Sequence, residues 1–468
     1  MKIALIGGGG VRTIYFTQAV AKYAKRLGLD HISIMDSNAE KLEIYGSLAR
    51  FNATQINKEI KVELTNSIEE AVSGADYVVI TIRVGGDESR IKDEKIALAR
   101  NLIGQETTGA GGFSYALRTI PVMLDYCRII KEKSNNALIF NFTNPAGLVT
   151  QALHKHGYKN VIGVCDGPTC LIAELAHAIS VSDSNIETRI YGLNHLSWLD
   201  GVKIQGKEIL GKLIDNDAFL ENLHESAMFD RGLIRSLKAI PNAYLYYYYH
   251  REKALQNILT SKMTRGELVK DINERMLKAL KAADAVNNPE EGLRVYRSFM
   301  DEREKTYMSI ETGGKQEKKE AVDLRALGIE SIVQGISDEG EKFEGYAGVA
   351  FNYIEAVKNN KTLYLPLNVA NNGSVPGLAD DDVVEVTCRI DGNGIQTIKV
   401  DSVPEENMLL IKQIKRYEHL TIEAIENKSK DIAIKALMIH PLVNSYSLAK
   451  ELVNEYVEVF KDFVGEWR

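Results

Sequence analysis

The segment that decides the fold opens the chain: Lys2-Ile3-Ala4-Leu5-Ile6-Gly7-Gly8-Gly9-Gly10. Its apolar part is typical of a buried strand, and the pattern from 11 to 26 predicts a helix directly after the glycines. Glycines let the backbone approach a pyrophosphate, and the start of a helix offers free N–H groups and the positive end of its dipole. We therefore expect a dinucleotide at Gly7, Gly8, Gly9 and Gly10. A glycine run alone is a weak signal, because many strand-to-helix turns need glycine only for geometry.

The next strand-like run, His31–Met35, is followed by an acid, Asp36. A carboxylate at this point can hold the ribose hydroxyls of NAD, and it disfavours NADP, whose extra phosphate would meet a like charge. The alternative is that Asp36 only caps the following helix. Beside the glycine turn, Asp36 indicates NAD as the cofactor.

Further apolar runs at 62–64, 76–82, 137–140 and 161–164 alternate with helical patterns. Strands that alternate with helices indicate an α/β fold with a doubly wound parallel sheet. Ligands bind such sheets at the carboxyl ends of the strands. We therefore expect the polar segments after these strands to meet in one crevice, namely 7–10, 83–90, 141–145 and 165–168.

The pattern changes beyond about residue 198, where helices predominate. A hairpin is predicted around Asp391-Gly392-Asn393-Gly394, and the charged stretch 289–344 is predicted to be a helix followed by an exposed excursion. We predict two domains. Residues 1–195 form a Rossmann-like NAD-binding domain, and residues 196–468 form a mixed α+β domain for substrate binding and oligomerisation.

Composition excludes several classes of partner. The 57 Lys and Arg residues against 64 Asp and Glu give a net charge of −7, and no dense basic run suggests nucleic acid or an anionic membrane. No apolar run is long enough to span a bilayer, and the first residues read as a strand rather than a signal peptide. The four cysteines are scattered, which suits a reducing compartment. The sequence predicts a cytoplasmic protein.

Two residues after strand-like runs are candidate metal ligands, Cys165 and His195. A thiolate and an imidazole together suit borderline divalent metals such as Zn, Co, Fe or Mn, and two protein ligands leave positions open for substrate. Either residue alone would more often be a core side chain. The stretch 104–112 is rich in glycine, which suggests that its backbone approaches a ligand closely and that Glu106 can contact this ligand. The alternative is that the stretch is only a tight loop. Asn141 and Asn144 follow a strand, although ordinary turn chemistry would also place them there.

Together these motifs resemble glycoside hydrolase family 4, the NAD- and metal-dependent glycosidases. The resemblance spans nearly the whole chain, through the glycine run and the segments 82–86 with Arg90, 104–112, 141–145, 164–168, 192–198, 242–245 and 371–374. Within the family, the chain looks most like the 6-phospho-β-glucosidase branch. The resemblance implies a Rossmann-like domain followed by a mixed domain, as in lactate and malate dehydrogenases.

The family resemblance also implies a reaction that differs from two-carboxylate glycoside hydrolysis. NAD+ would remove hydride from C3 of the sugar, a tyrosinate would take the acidified C2 proton, and the glycosidic oxygen would leave by elimination. Water would then add and the hydride would return. The substrate would be a phosphorylated disaccharide or glucoside, and the assembly a homodimer or homotetramer.

By match to the family, Cys165 and His195 would bind Mn2+, and Asp166 would be the general acid. Arg90 and Asn144 would contact the sugar or its phosphate, and Glu106 and Asn141 would contact the cofactor. Tyr244 would be the base, although the run 244–249 offers no unique candidate from its residues alone. The usual tyrosine pKa, near 10, is too high for a base at neutral pH, so a nearby cation or metal would have to lower it.

Two departures from the family pattern leave the anomer open. Phospho-sugar members often have Ser after three glycines, where this chain has Gly10-Val11-Arg12. Asp166 resembles the 6-phospho-α-glucosidase branch, whereas Leu196-Ser197 resembles the β branch. The alternatives are therefore a 6-phospho-α-glucosidase, and from other classes an NAD-dependent hydroxy-acid dehydrogenase or an NAD-sensing protein without activity.

Overall fold

The computed structural model describes residues 1–182, 185–306, 308–313, 327, 329–333, 343 and 347–468. These residues form two compact units, and each is assembled from separate stretches of the chain. The first unit comprises Met1–Gly163, Leu255–Gly313 and Tyr417–Arg468, and the second comprises Val164–Ala254 and Gly314–Arg416. The sequence-based division between residues 195 and 196 is a different one and stays a prediction. Most of the predicted excursion after residue 304 lies outside the described residues.

The strands of the described residues are β1 (Lys2–Ile6), β2 (His31–Met35), β3 (Lys61–Thr65), β4 (Tyr77–Ile80), β5 (Leu138–Asn141), β6 (Val161–Gly163), β7 (Ile186–Leu193), β8 (Leu196–Ile204), β9 (Lys207–Glu208), β10 (Ile240–Pro241), β11 (Leu363–Ala370), β12 (Val383–Asp391) and β13 (Gly394–Thr397).

The α-helices are α1 (Thr13–Leu27), α2 (Ala39–Lys41), α3 (Ser47–Ile56), α4 (Ile68–Val72), α5 (Gly86–Leu98), α6 (Gly109–Lys133), α7 (Ala146–Lys155), α8 (Gly167–Ala178), α9 (Leu210–Ile214), α10 (Asp217–Asn222), α11 (His224–Ala227), α12 (Arg231–Leu237), α13 (Tyr246–Tyr249), α14 (Arg251–Thr260), α15 (Arg265–Ala282), α16 (Pro289–Glu304), α17 (Ser309–Thr312), α18 (Glu330–Val333), α19 (Gly348–Asn359), α20 (Glu405–Asn427), α21 (Lys430–Ile439), α22 (Tyr446–Val459) and α23 (Lys461–Val464). A π-helical turn (Leu42–Gly46) joins α2 to α3, and a 3-10 turn (Ala243–Leu245) precedes α13.

In the first unit, parallel strands follow the order β3-β2-β1-β4-β5-β6. These strands lie in the core, and Ile3 to Ile6 are at most 1% exposed. Near-continuous apolar runs are typical of parallel strands that are buried on both faces. The order reverses between β1 and β4, which is where a doubly wound sheet binds a dinucleotide. The predicted parallel sheet is confirmed, with a strand at each of the predicted positions.

The second unit is a mixed α+β structure, as predicted. β8 pairs antiparallel with β7, β10 and β9. β12 pairs antiparallel with β11 and β13, and the predicted turn at Asp391 to Gly394 joins β12 to β13. The backbone N–H of Ile190 in β7 donates to Thr387 Oγ1 in β12 at 3.0 Å.

The structure differs from the predicted elements at several places. Most of the segment 83–90 lies in helix α5, which has no clear apolar stripe because Arg90, Asp93 and Glu94 are themselves buried in ion pairs. Helix α6 begins at Gly109, where only small residues fit: a Cβ on Gly111 would lie 2.3 Å from the carbonyl oxygen of Gln105. Strand β11 was not predicted, since Pro366 within it argues against a strand. Across the part of the chain that is described, no helix combines the length and apolar character needed to span a membrane.

Candidate active site

The glycine turn after β1 is held by the ends of its neighbouring strands. The N–H groups of Gly7 and Gly8 donate to the carbonyl oxygen of Met35 at 2.9 and 2.8 Å. Gly7 has φ +102°, and a Cβ there would lie 2.2 Å from the carbonyl oxygen of Thr81. Only glycine can occupy this position without moving the backbone.

Asp36 lies at the same edge of the sheet. Its Oδ2 accepts from the N–H of Gly9 at 2.7 Å, and its Oδ1 accepts from the N–H of Asn38 at 2.8 Å. The N-cap of α2 is Asn38, whose side chain accepts from the N–H of Lys41, so the idea that Asp36 caps this helix is wrong. Asp36 belongs to the glycine turn.

The start of α1 has the features of an anion site. Among the described residues, the buried hydroxyl of Thr13 has no hydrogen-bond partner, although Thr13 is only 2% exposed. Buried hydroxyls are nearly always paired, so an unpaired one at a helix N-terminus points to a ligand. The turn, this hydroxyl and Asp36 together fit a dinucleotide.

Glu106 lies in a buried ion-pair cluster of the first unit. It contacts Arg83 Nη1, and its Oε2 is 3.2 Å from Arg90 Nη1. Burial alone would raise the pKa of Glu106, but the charges of Arg83 and Arg90 outweigh that effect and lower the pKa well below its usual range. Arg90 Nε also donates to Glu94 Oε1 at 2.9 Å. Glu106 and Glu94 therefore fix Arg90, while the predicted ligand contacts of Glu106 and Arg90 stay predictions.

A second arginine group in this unit was not predicted. Burial, followed by the charges of Arg12, Arg83 and Arg265, lowers the pKa of Arg303 to about 10, and Asp87 only partly opposes this. Arg303 Nη1 donates to Asn273 Oδ1 at 3.0 Å. We call Arg12, Arg83, Arg265 and Arg303 the cationic cluster. Arg83 is itself paired with Glu106, and its pKa is raised, so the lowered pKa belongs to Arg303. The positive charges around Arg303 favour an anion beside it.

The side chain of Asn141 organises the turn after β5. Its Oδ1 accepts from the N–H of Thr143 at 2.9 Å, and its Nδ2 donates to Thr150 Oγ1 at 3.2 Å. Thr143 Oγ1 in turn accepts from the N–H of Ile82 at 3.1 Å, which joins the loops after β4 and β5. Asn144 is half-buried in this turn. The turn places both asparagines at the carboxyl edge of the sheet, and their predicted ligands are untested.

In the second unit, the structure brings together Cys165 and His195. Cys165 Sγ and His195 Nε2 lie 3.3 Å apart, although the two residues are far apart in sequence. His195 occupies the turn between β7 and β8 with φ +61°. Gly192 precedes the turn with φ +139°, and a Cβ there would lie 2.2 Å from the carbonyl oxygen of Leu196. The close approach of β7 to β8 therefore fixes the turn that holds His195 beside Cys165.

Tyr244 stacks directly on His195. Their ring centroids are 3.8 Å apart, and the rings are inclined by only 11°. Asn242 positions this tyrosine, because its N–H donates to the carbonyl oxygen of Ser197 at 2.9 Å and its Oδ1 accepts from the N–H of Tyr244 at 3.0 Å. The pairing of β10 with β8 brings Asn242 to this place.

The neighbouring tyrosines have other surroundings. The ring of Tyr246 packs on His250, with centroids 4.9 Å apart, and the hydroxyl of Tyr249 accepts from Trp198 Nε1 at 3.1 Å. Burial raises the pKa of Tyr246 and of Tyr249. The structure thus distinguishes Tyr244 from these two in a way the sequence does not.

Asp166 lies between Cys165 and helix α8. It occupies the N-cap position of α8, and its carbonyl oxygen accepts from the N–H of Cys170 at 2.8 Å. The Asp166 side chain makes no capping hydrogen bond to the helix. Its predicted role as a general acid is untested.

Glu385 in β12 is a buried carboxyl group that the sequence analysis missed. It accepts from Ser197 Oγ at 2.7 Å and from the Nδ2 atoms of Asn194 and Asn368, each at 3.1 Å. Burial raises the pKa of Glu385, and these three hydrogen bonds oppose the rise. The signal in the sequence is a single acid inside the apolar run Val383-Val384-Glu385-Val386, since a short continuous apolar run is consistent with a fully buried strand.

The Cys165–His195 pair fits a divalent transition metal by its ligand chemistry. Within the described ranges, no group of three or more His, Cys, Asp and Glu side chains is placed to hold a metal ion.

Comparison with known proteins identifies the family. The pattern of the Family 4 glycosyl hydrolases matches residues 2–181, and that of the Family 4 glycosyl hydrolase C-terminal domain matches residues 190–443. The chain belongs to glycoside hydrolase family 4. A relative in this family is the 6-phospho-beta-glucosidase BglT of Thermotoga maritima, which is 30% identical over 99% of both chains. The phospho-alpha-glucosidase PagL of Clostridium acetobutylicum is 27% identical over 99% of this chain and 98% of its own length.

Solved structures of family 4 proteins share the fold. The 6-phospho-beta glucosidase of Thermotoga maritima, solved with manganese, NAD+ and glucose-6-phosphate, superposes with a TM-score of 0.79 over 99% of both chains at 29% identity. The family resemblance drawn from the motifs is therefore confirmed, and so is the predicted fold class.

Proposed function

We propose that this family 4 chain hydrolyses 6-phospho-glucosides, with preference for the β anomer, by NAD+-dependent oxidation at C3, elimination and hydration. One observation carries the proposal: Cys165, His195 and Tyr244 lie together in a chain of this family. A thiolate–imidazole pair with a tyrosine against it suits metal-assisted removal of a proton from a sugar carbon. The predicted cofactors, NAD+ and Mn2+, are those bound in the Thermotoga maritima structure.

Each cofactor has residues that would hold it. The glycine turn, Thr13 and Asp36 would bind NAD+, and Cys165 with His195 would bind Mn2+. When bound, NAD+ accepts and returns a hydride, while Mn2+ stabilises negative charge on the sugar oxygens. The deprotonated oxygen of Tyr244 would take the C2 proton, and the protonated carboxyl group of Asp166 would give a proton to the leaving oxygen.

The cationic cluster supports a phosphorylated substrate. Arginine suits phosphate because its planar fork donates two hydrogen bonds to two phosphate oxygens. Arg12 belongs to the cluster and stands near the position where the family often has serine after three glycines. Arg90 and Asn144 are proposed to contact the sugar or its phosphate.

The β anomer is proposed because BglT is more similar to this chain than PagL is. The 6-phospho-α-glucosidase, to which Asp166 points, uses the same chemistry and remains the alternative. A hydroxy-acid dehydrogenase would share the nucleotide fold but has no use for Tyr244 beside the Cys165–His195 pair. Cytoplasmic location and a homodimer or homotetramer stay predictions.

Hydrolysis in D2O tests this chemistry. Removal of the C2 proton and later hydration introduce solvent deuterium at C2, so glucose-6-phosphate released from a 6-phospho-β-glucoside should carry deuterium there by NMR. A two-carboxylate hydrolase leaves the C2 proton in place. Product with protium at C2 would contradict the proposal, and product incubated with the enzyme after the reaction controls for later exchange.

A further inference from the structure

The turn that carries His195 is tied on both sides to one buried carboxylate, Glu385. Asn194, directly before His195, donates from Nδ2 to Glu385 Oε1 at 3.1 Å. Ser197, two residues after His195, donates from Oγ to Glu385 Oε2 at 2.7 Å. Glu385 is 1% exposed, and Asn368 on β11 donates to the same Oε1 at 3.1 Å. Both flanks of the turn are therefore hydrogen-bonded to one side chain.

The conformation of His195 gives this support a role. Its φ of +61° lies in the left-handed region, which is uncommon for residues other than glycine and has a cost that surrounding contacts must offset. Glu385 also stands on a rigid element, because β12 pairs with β11 along nearly its whole length and Glu385 lies opposite Asn368 in that pairing. A carboxylate accepts at two oxygens at once, so one residue can fix two points of the turn.

We propose that Glu385 is a positioning residue for the metal. Through Asn194 and Ser197 it holds the His195 ring in the orientation that binds Mn2+ together with Cys165. Glu385 acts through these hydrogen bonds and is not itself a ligand. The inference rests on the proposed function, since it requires Cys165 and His195 to be the metal site. Such outer contacts commonly change metal affinity about 10- to 100-fold.

The test is a calorimetric titration of the full-length protein with Mn2+, supported by the thiolate absorption band of bound Co2+. We expect Glu385→Ala to weaken Mn2+ binding about 10- to 100-fold and to alter the Co2+ band. Glu385→Gln should recover most of the affinity, because the amide oxygen accepts from both asparagines and the serine hydroxyl can rotate to accept from the amide.

Thr387→Val is the matched control. Thr387 lies on the same strand, is 2% exposed, and holds Ile190 of β7 rather than the turn with His195. We expect this variant to lose stability without losing Mn2+ affinity. If Glu385→Ala does not fold, Ser197→Ala removes one of the two links and should weaken Mn2+ binding several-fold, on the order of one net hydrogen bond.

Cys165→Ser distinguishes a failure of the proposed metal site from a failure of the proposed role of Glu385. If it loses Mn2+ binding while Glu385→Ala or Ser197→Ala binds Mn2+ as the wild type does, only the role of Glu385 is overturned. Equal weakening in Thr387→Val would overturn it as well, because the effect would then be general destabilisation. If Cys165→Ser binds Mn2+ as the wild type does, the metal site and this inference fall together.

Discussion

At the scale of single residues, the candidate metal ligands and the candidate base form one contact group in the second unit. Cys165, His195 and Tyr244 were named from motifs and family resemblance, and the structure places them in contact. Glu385 and Arg303 were missed for opposite reasons. Glu385 is a charge inside an apolar strand, and Arg303 lies in the strongly charged stretch 289–344, which was predicted to be a helix followed by an exposed excursion. No periodicity rule shows which charges the tertiary structure buries.

Tyr244→Phe should lower kcat at least about 100-fold, the usual contribution of a general base. Substrate affinity should change little, because the ring that stacks on His195 is retained. Tyr246→Phe is the control, since its ring packs on His250 instead. The measurements are kcat and substrate affinity for both variants. A normal kcat in Tyr244→Phe would show that Tyr244 is not the base.

Arg303→Gln should raise KM for a 6-phospho-glucoside about 10- to 100-fold, which corresponds to the loss of a hydrogen bond to a charged group. Any activity on the unphosphorylated glucoside should be unchanged. Arg275→Gln is the matched control, because Arg275 makes surface ion pairs with Asp271 and Glu302. Steady-state kinetics on both substrates measure the effect. An equal rise of KM for the phosphorylated and the unphosphorylated glucoside would contradict a role of Arg303 in phosphate binding.

At the scale of elements, the strands of the parallel sheet were predicted closely, because buried parallel strands are continuous apolar runs with glycine or polar residues at their ends. Helix α5 was not predicted, because the residues it buries include charged side chains in ion pairs and its sequence therefore has no apolar stripe. Strand β11 was not predicted, because it contains Pro366 and proline is unusual within a strand. The glycine turn was predicted correctly, because the backbone geometry at Gly7 allows only glycine there.

Gly7→Ala should destabilise the protein by more than about 1–2 kcal/mol, because a left-handed φ and a clash with the backbone of Thr81 act together. Gly10→Ala should cost much less, since the nearest atom to its Cβ, the carbonyl oxygen of Gly7, would be 3.2 Å away. Thermal unfolding without NAD+ compares the two variants. Equal stability of both would show that the turn is more plastic than the structure indicates.

His440 makes the stability of the first unit depend on pH. Burial lowers the pKa of His440 to about 3, and its ring nitrogens face the N–H groups of Gly109 and Leu442 at 3.2 and 3.1 Å. Unfolding lets the ring take up a proton below its ordinary pKa of about 6.5. The stability from His440 is therefore complete above that pH and falls by about 1.4 kcal/mol per unit as the pH drops towards 3.

His440→Gln should remove this part of the acid dependence, although it also lowers stability at neutral pH. Denaturant unfolding between pH 7 and 5 measures the slope, with His156→Gln as the control at an exposed histidine. A slope that is the same in His440→Gln and in the wild type would contradict the assignment.

At the scale of the whole molecule, the sequence was sufficient for the family and the fold class, because segments that resemble the family's motifs extend over nearly the whole chain. It was not sufficient for the path of the chain, since each compact unit is built from separate stretches. We propose that the molecule uses a nucleotide site and a metal site in one hydrolytic cycle that regenerates its cofactor.

The most direct test is hydrolysis of nitrophenyl 6-phospho-β- and 6-phospho-α-glucosides, each with NAD+ and Mn2+ supplied or withheld. Cleavage should require both cofactors, should be faster for the β anomer, and should proceed without accumulation of NADH, because the hydride returns to the sugar. Cleavage that persists after removal of NAD+ or Mn2+, or one NADH formed per turnover, would contradict the account.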